Sequence, residues 1–121
     1  MDIIDKVALA VFKDKKILLT RHIDQPEVFF CLGGKREAGE NDLECLTREV
    51  KEEVGCDVDE QGLEFLHQFD APAHEDPRTV RIRLYKGALK GEPKPSSEIA
   101  EIGYFDSTGV PRHFTENLRF F

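Results

Sequence analysis

From Asn41 to Gly55 apolar side chains recur at three- and four-residue steps, and no other stretch restricts the fold as much. Leu43, Leu46, Val50 and Val54 form one stripe, which predicts an amphipathic helix that must bury that face. Asn41 is its expected N-cap, with Glu44 at the third helical position completing a capping box, and Gly55 ends it at C′. The flanking segments read as strands. Val7 to Phe12 and Ile17 to Thr20 are apolar runs joined by the polar turn Lys13–Lys16, a hairpin pattern, and Phe29 to Leu32 is a third strand halted by Gly33-Gly34, with a loop through Gly39. Leu63 to Phe69 is a further strand, and Val80, Ile82 and Leu84 alternate with Arg81, Arg83 and Tyr85 as in a half-buried one. Asp70–Arg78 and Gly91–Ser97 read as loops, Ile102–Phe105 as the last strand, and Thr115–Phe121 as a short terminal helix. The class expected is α+β, with residues 1–121 forming a single domain.

The polar side of the central helix is unusual. Glu49, Glu52 and Glu53 stand at i, i+3 and i+4, so three carboxylates meet beside the apolar stripe and repel one another. A solvated acidic face is one reading. The other is a divalent cation, because hard Mg²⁺ takes oxygen ligands and is commonly held by carboxylates together with substrate phosphates.

Composition narrows the choice of partner. A net charge of −7 argues against a binder of nucleic-acid polymers, which show a clustered cationic surplus, yet leaves room for a small phosphorylated ligand reached through a bound cation. Cys31, Cys45 and Cys56 fit neither a disulfide framework nor a zinc site, so a reducing, cytoplasmic setting is expected. No segment approaches the ~20 apolar residues needed to span a bilayer, and no secretory n-region precedes an apolar run. His22, His67, His74 and His113 share no metal-ligand spacing and receive no role.

Read from Gly34, the segment Gly34-x₅-Glu40-x₇-Arg48-Glu49-Val50-x-Glu52-Glu53-x-Gly55-Cys56 resembles the Nudix box, G-x₅-E-x₇-R-E-U-x-E-E-x-G-U with U a bulky aliphatic residue. Seven strictly defined positions, each met by chance at about 0.07, give roughly 10⁻⁸ per starting point, so chance is not a competitor. Two departures stand out. Cys56 occupies the last aliphatic position, a mild change because buried free Cys behaves as a small hydrophobe, and Leu32 stands where many relatives have proline before the Gly-Gly pair.

The resemblance implies a Nudix fold, a mixed β-sheet sandwiched between α-helices, and cleavage of the pyrophosphate linkage of a nucleoside diphosphate derivative by metal-assisted attack of water on phosphorus. It implies Mg²⁺, with Mn²⁺ as substitute, held by Glu49, Glu52, Glu53 and the Gly33 carbonyl. Glu49 is the first general-base candidate and Glu98, before the last strand, the second. Lys35, Arg36 and Arg21 are candidates for neutralising substrate phosphates, while Gly34, Glu40, Arg48 and Gly55 are assigned structural duties in the box. The short chain is similar to MutT-like (d)NTP pyrophosphohydrolases, the first substrate class expected. ADP-ribose or a nucleotide sugar is the alternative, on the strength of Pro72. A nucleotide-binding module without turnover is the alternative of another class, although such a module is expected to lose box carboxylates. Phe29 and Phe30 read as core, with base stacking as the second possibility, and Asn117 as a weak candidate for reading a base edge. The protein is expected to be a monomer or homodimer.

Overall fold

A computed structural model describes residues 3–73 and 77–106 of the chain. In chain order the elements are β1 (Ile3–Ala10), β2 (Phe12–Lys13), β3 (Lys16–His22), β4 (Gln25–Phe30), β5 (Leu32–Lys35), α1 (Asp42–Val54), β6 (Asp57–Pro72), β7 (Thr79–Lys90) and β8 (Ile99–Phe105). One sheet runs β5-β1-β7-β6 and is mixed: β1 pairs parallel with β7, and the other neighbours are antiparallel. A second, antiparallel sheet is built on β3, which pairs with β2 and β4 along one side and β8 along the other. This is the α+β architecture expected. The terminal helix expected over Thr115–Phe121, with His74, His113 and Asn117, lies outside the described residues. No described helix is long and apolar enough to cross a membrane.

The helix forms as its sequence dictates. The Asn41 side chain accepts from the Glu44 N–H at 2.8 Å while Glu44 accepts from the Asn41 N–H at 2.9 Å, and Gly55 closes the C-terminus at φ 72°. Leu46, Val50 and Val54 are buried, joined by Cys45, and pack with Val7, Leu9, Leu18 and Leu32 into the main core. Each fully buried Leu or Val contributes about 1.5–3 kcal/mol relative to an exposed one. Cys56 and Leu32, the two departures from the box, are both core residues.

Several boundaries differ from expectation: the last strand begins at Ile99 rather than Ile102, and the expected Phe29–Leu32 strand is divided at Cys31 between β4 and β5. The Val7–Phe12 run is not one strand: β1 ends at Ala10 and the chain crosses to the second sheet through Val11, so that Ala10 and Val11 are buried consecutively, and the hairpin turns through Asp14 and Lys15, both at positive φ. Gly33 and Gly34 do not halt a strand; they lie within β5, opposite Ala8 and Val7 of β1. A Cβ at Gly33, at φ 123°, would lie 2.1 Å from the Val7 carbonyl oxygen, so that position demands glycine, while one at Gly34 would lie 2.6 Å from the Glu49 carboxyl and displace it. The strand expected over Leu63–Phe69 is the middle of a longer one, and β6 and β7 pair from Asp57–Lys90 to Pro72–Thr79, taking in Asp70 to Pro72 from the predicted loop.

Candidate functional site

The two faces of β1 meet different surroundings. Val7 and Leu9 point into the core against α1, whereas Ile4, Lys6 and Ala8 line a cavity of about 410 Å³. Its walls are largely apolar, with Phe69 and Ala71 from β6, Val80, Ile82 and Leu84 from β7, and Phe29 and Phe30 from β4. A smaller pocket of about 60 Å³ adjoins it, lined by His22, Glu49, Glu52, Glu53, Ser97 and Glu98. Glu49, Glu53 and His22 border both.

Glu53 is the buried carboxylate of the group, 5% exposed. Its Oε1 accepts the Gly33 N–H at 2.9 Å and its Oε2 lies 3.7 Å from His22 Nε2. Burial pushes its pKa up to about 8; the Gly33 N–H and Lys6 oppose that rise, and Glu49 and Glu52 reinforce it. Glu49 is also shifted up, by burial first, against the pull of Arg48. Glu52 is exposed at the rim.

Glu40 and Arg48 form the frame behind these groups. Arg48 donates to both Glu40 oxygens, at 2.7 and 2.9 Å, to Glu49 Oε1 at 2.8 Å and to the Lys35 carbonyl at 3.0 Å. Its hydrogen bonds bring Glu40 down to about 2, so that pair is ionised together under all ordinary conditions. Gly34 supplies the space in which the Glu49 carboxyl lies.

Glu98 borders the smaller pocket on a loop held by backbone hydrogen bonds. The loop after β7 docks on the carboxyl end of α1, where the Lys94 N–H donates to the Val54 carbonyl and the Ser96 N–H to the Glu53 carbonyl, satisfying orphan helix acceptors. The Ile23 N–H then donates to the Glu98 carbonyl at 2.9 Å, fixing the loop beside His22.

Not every residue expected at the site is there. Lys35 lines the larger cavity, whereas Arg36 donates to Asp5 at 2.6 Å on the helix-facing side of β1 and Arg21 donates to Glu101 at 2.9 Å across the β3–β8 ladder; neither lines a cavity. Phe29 and Phe30 both line the cavity, Phe29 edge-on to Phe105 and Phe30 edge-on to His22.

Two residues at the site went unassigned in the sequence reading. Lys6 projects into the cavity with its Nζ 5.6 Å from the centre of the Phe30 ring; burial lowers its pKa, opposed by Glu49 and Glu53. The signal was a single cation in a strand of aliphatic residues. His22 joins the two pockets, and no spacing rule announces it.

The donor set is all carboxylate beside one imidazole, which suits a hard divalent cation. Among the described residues no group of three or more His, Cys, Asp or Glu side chains is placed to hold a metal ion. Mg²⁺ does not require such a group, since it is commonly held through one or two carboxylates with waters and substrate phosphates, and Glu49, Glu52 and Glu53 are the carboxylates that could serve.

Known proteins resemble this chain in both sequence and fold. The NUDIX domain family matches residues 4–119. The NAD-capped RNA hydrolase NudC of Vibrio atlanticus (strain LGP32) is 31% identical over 107 residues, 87% of this chain and 38% of that protein. The ADP-ribose pyrophosphatase of Methanocaldococcus jannaschii is 33% identical over 104 residues, 83% of this chain and 60% of that protein. The chain thus spans under two thirds of either relative's length. In fold, it is similar to a MutT NUDIX hydrolase from Burkholderia pseudomallei, with a TM-score of 0.83 at 22% identity, covering 99% of this chain and 95% of that one.

Proposed function

The chain belongs to the Nudix family, and on that premise we propose that it hydrolyses the pyrophosphate linkage of a nucleoside diphosphate derivative with Mg²⁺ at Glu49, Glu52 and Glu53. One observation carries the reading: a largely apolar cavity fit for a nucleoside opens directly onto a pocket of four carboxylates, and Glu49 and Glu53 belong to both. The cation, when bound, neutralises charge on the phosphates and lowers the pKa of water. Glu53 would have to give up its proton to hold the cation, and the Gly33 N–H and Arg48 keep Glu53 and Glu49 oriented. Glu49 takes the proton of the attacking water as its oxygen bonds to phosphorus and the bond to the leaving phosphate breaks. Glu49 precedes Glu98 in this role because it borders the substrate cavity as well as the carboxylate pocket. Lys35 neutralises a substrate phosphate at the mouth.

Within that class a (d)NTP is one reading and a nucleoside diphosphate carrying a second sugar, such as ADP-ribose or the dinucleotide of an NAD cap, is the other. Named relatives above 30% identity favour the second, and Pro72 lines the cavity rim strand. The test is release of phosphorylated products from dNTPs, ADP-ribose, NAD, nucleotide sugars and dinucleoside polyphosphates, with and without Mg²⁺, for wild type and Glu53→Gln. Mg²⁺-dependent turnover that collapses in the variant supports the hydrolase and its best substrate names the subclass. Nucleotide binding without turnover of any substrate supports a non-catalytic binding module instead.

A further inference from the structure

The β1–β5 register sets Lys6 directly opposite Lys35, and both side chains line the larger cavity. Like charges directly opposite on neighbouring strands destabilise a sheet. Among the described residues neither ammonium has an ion-pair or hydrogen-bond partner; Lys6 lies over the Phe30 ring, feels Glu49 and Glu53 only at longer range, and is flanked on that face by the apolar Ile4 and Ala8. The arginines on the other side of the same sheet are treated differently: Arg36, Arg81 and Arg83 are each paired with an aspartate. An aliphatic residue at position 6 would suit an apolar wall better, so an adjacent pair of cations without ion-pair partners, drawn toward Glu49 and Glu53 only at longer range, offers a site for an anion between them.

We propose that Lys6 and Lys35 form a cross-strand cradle for one phosphate of the occupant, the phosphate on the nucleoside side, and that Lys6 makes the cavity select a nucleotide over a nucleoside. This rests on the reading that the cavity takes a nucleotide. The division of labour is electrostatic. Glu49, Glu52 and Glu53 can accept phosphate only through a cation, which serves the phosphate at the carboxylate pocket. Lys6, set between Ile4 and Ala8 within the apolar wall, serves the phosphate that leads into the cavity.

The experiment titrates wild type, Lys6→Met and Lys6→Arg with the four ribonucleoside 5′-monophosphates and their nucleosides in EDTA, by calorimetry, beside thermal melts. A charge-assisted hydrogen bond at this depth is expected to make at least one monophosphate bind wild type roughly tenfold or more tighter than its nucleoside. Lys6→Met should bring that ratio near one, leave nucleoside affinity unchanged and melt no lower than wild type, while Lys6→Arg retains part of the ratio. The proposal is overturned if wild type shows no preference for any monophosphate, if the preference survives Lys6→Met, or if both ligands weaken together. Turnover is scored separately: a Lys6-dependent phosphate preference in a protein that hydrolyses nothing keeps this inference and removes the hydrolase reading, and intact turnover with no Lys6 effect does the reverse.

Discussion

The two faces of β1 hold charge in opposite ways. On the face toward α1, Asp5 binds Arg36 at 2.6 Å, Arg83 clamps Asp42 at the first turn of the helix with bonds of 2.7 to 3.0 Å, and the Tyr85 hydroxyl donates to the same carboxylate. On the other face, among the described residues, Lys6 and Lys35 have no ion-pair partner, and Glu53 has only His22, whose pKa burial lowers, at 3.7 Å. Paired charge fixes a helix on a sheet, whereas around the cavity the lysines are left without ion pairs and the buried Glu53 is held toward its neutral form, which leaves both for a ligand to engage. The pKa directions follow the same line: Arg83 holds Asp42 below the usual carboxylate range, whereas burial lifts Glu53 to about 8.

The largest effect is expected from Glu53→Gln. Losing the buried carboxylate should lower Mg²⁺-dependent kcat by roughly 10²–10⁴, read as steady-state turnover of the best substrate, with the fold retained in a circular-dichroism melt. If the variant keeps turnover within a factor of a few, the ligand-facing side has been misassigned.

The second effect is on stability against pH. Glu53 ionises near 4.5 when unfolded and near 8 in the fold, so the neutral form is favoured by folding. Stability from this group is complete below about 4.5 and is lost as pH rises through about 8; the metal-free protein should therefore melt progressively lower across that window and level off above it. Glu53→Gln should flatten the slope. Asp42, shifted the other way, contributes stability above its unfolded pKa and loses it only as the pH falls through its lowered folded value.

The helix was legible in full because its caps and its stripe are local. Asn41, Glu44 and Gly55 act within a turn of themselves, and the spacing from Gly34 to Cys56 carried the family resemblance. The strand ends were not legible, since pairing across the chain sets them: β1 stops at Ala10 because the next residues join another sheet, and the glycines of β5 are in register with β1 although glycine usually interrupts a strand. Arg36 and Lys35 read alike in sequence as adjacent loop cations. Strand alternation sends them to opposite faces, one to Asp5 and one to the cavity, and only the three-dimensional register decides which. Lys6 stood out in sequence only as a lone cation among largely aliphatic residues; what it faces depends on its register with Lys35, which is distant in sequence.

Smaller effects sharpen the contrast between the faces. Asp42→Asn removes the charge that holds Arg83 and faces the helix N-terminus; it should cost about 1–2 kcal/mol, a drop of several degrees in Tm, with KM unchanged. Arg36→Ala breaks a half-exposed pair and should cost less than about 1 kcal/mol, while raising KM less than Lys35→Ala does in the same assay. An equal or larger KM effect at Arg36 would erase the distinction between the faces.

The most direct measurement is calorimetric titration of Mg²⁺ into wild type and Glu53→Gln between pH 6 and pH 8.5. The account predicts that wild type binds the cation with an affinity that rises with pH, as Glu53 must release its proton first, and that the variant binds at least about tenfold more weakly with little pH dependence. Equal affinity in the two proteins, or wild-type binding indifferent to pH, would contradict it.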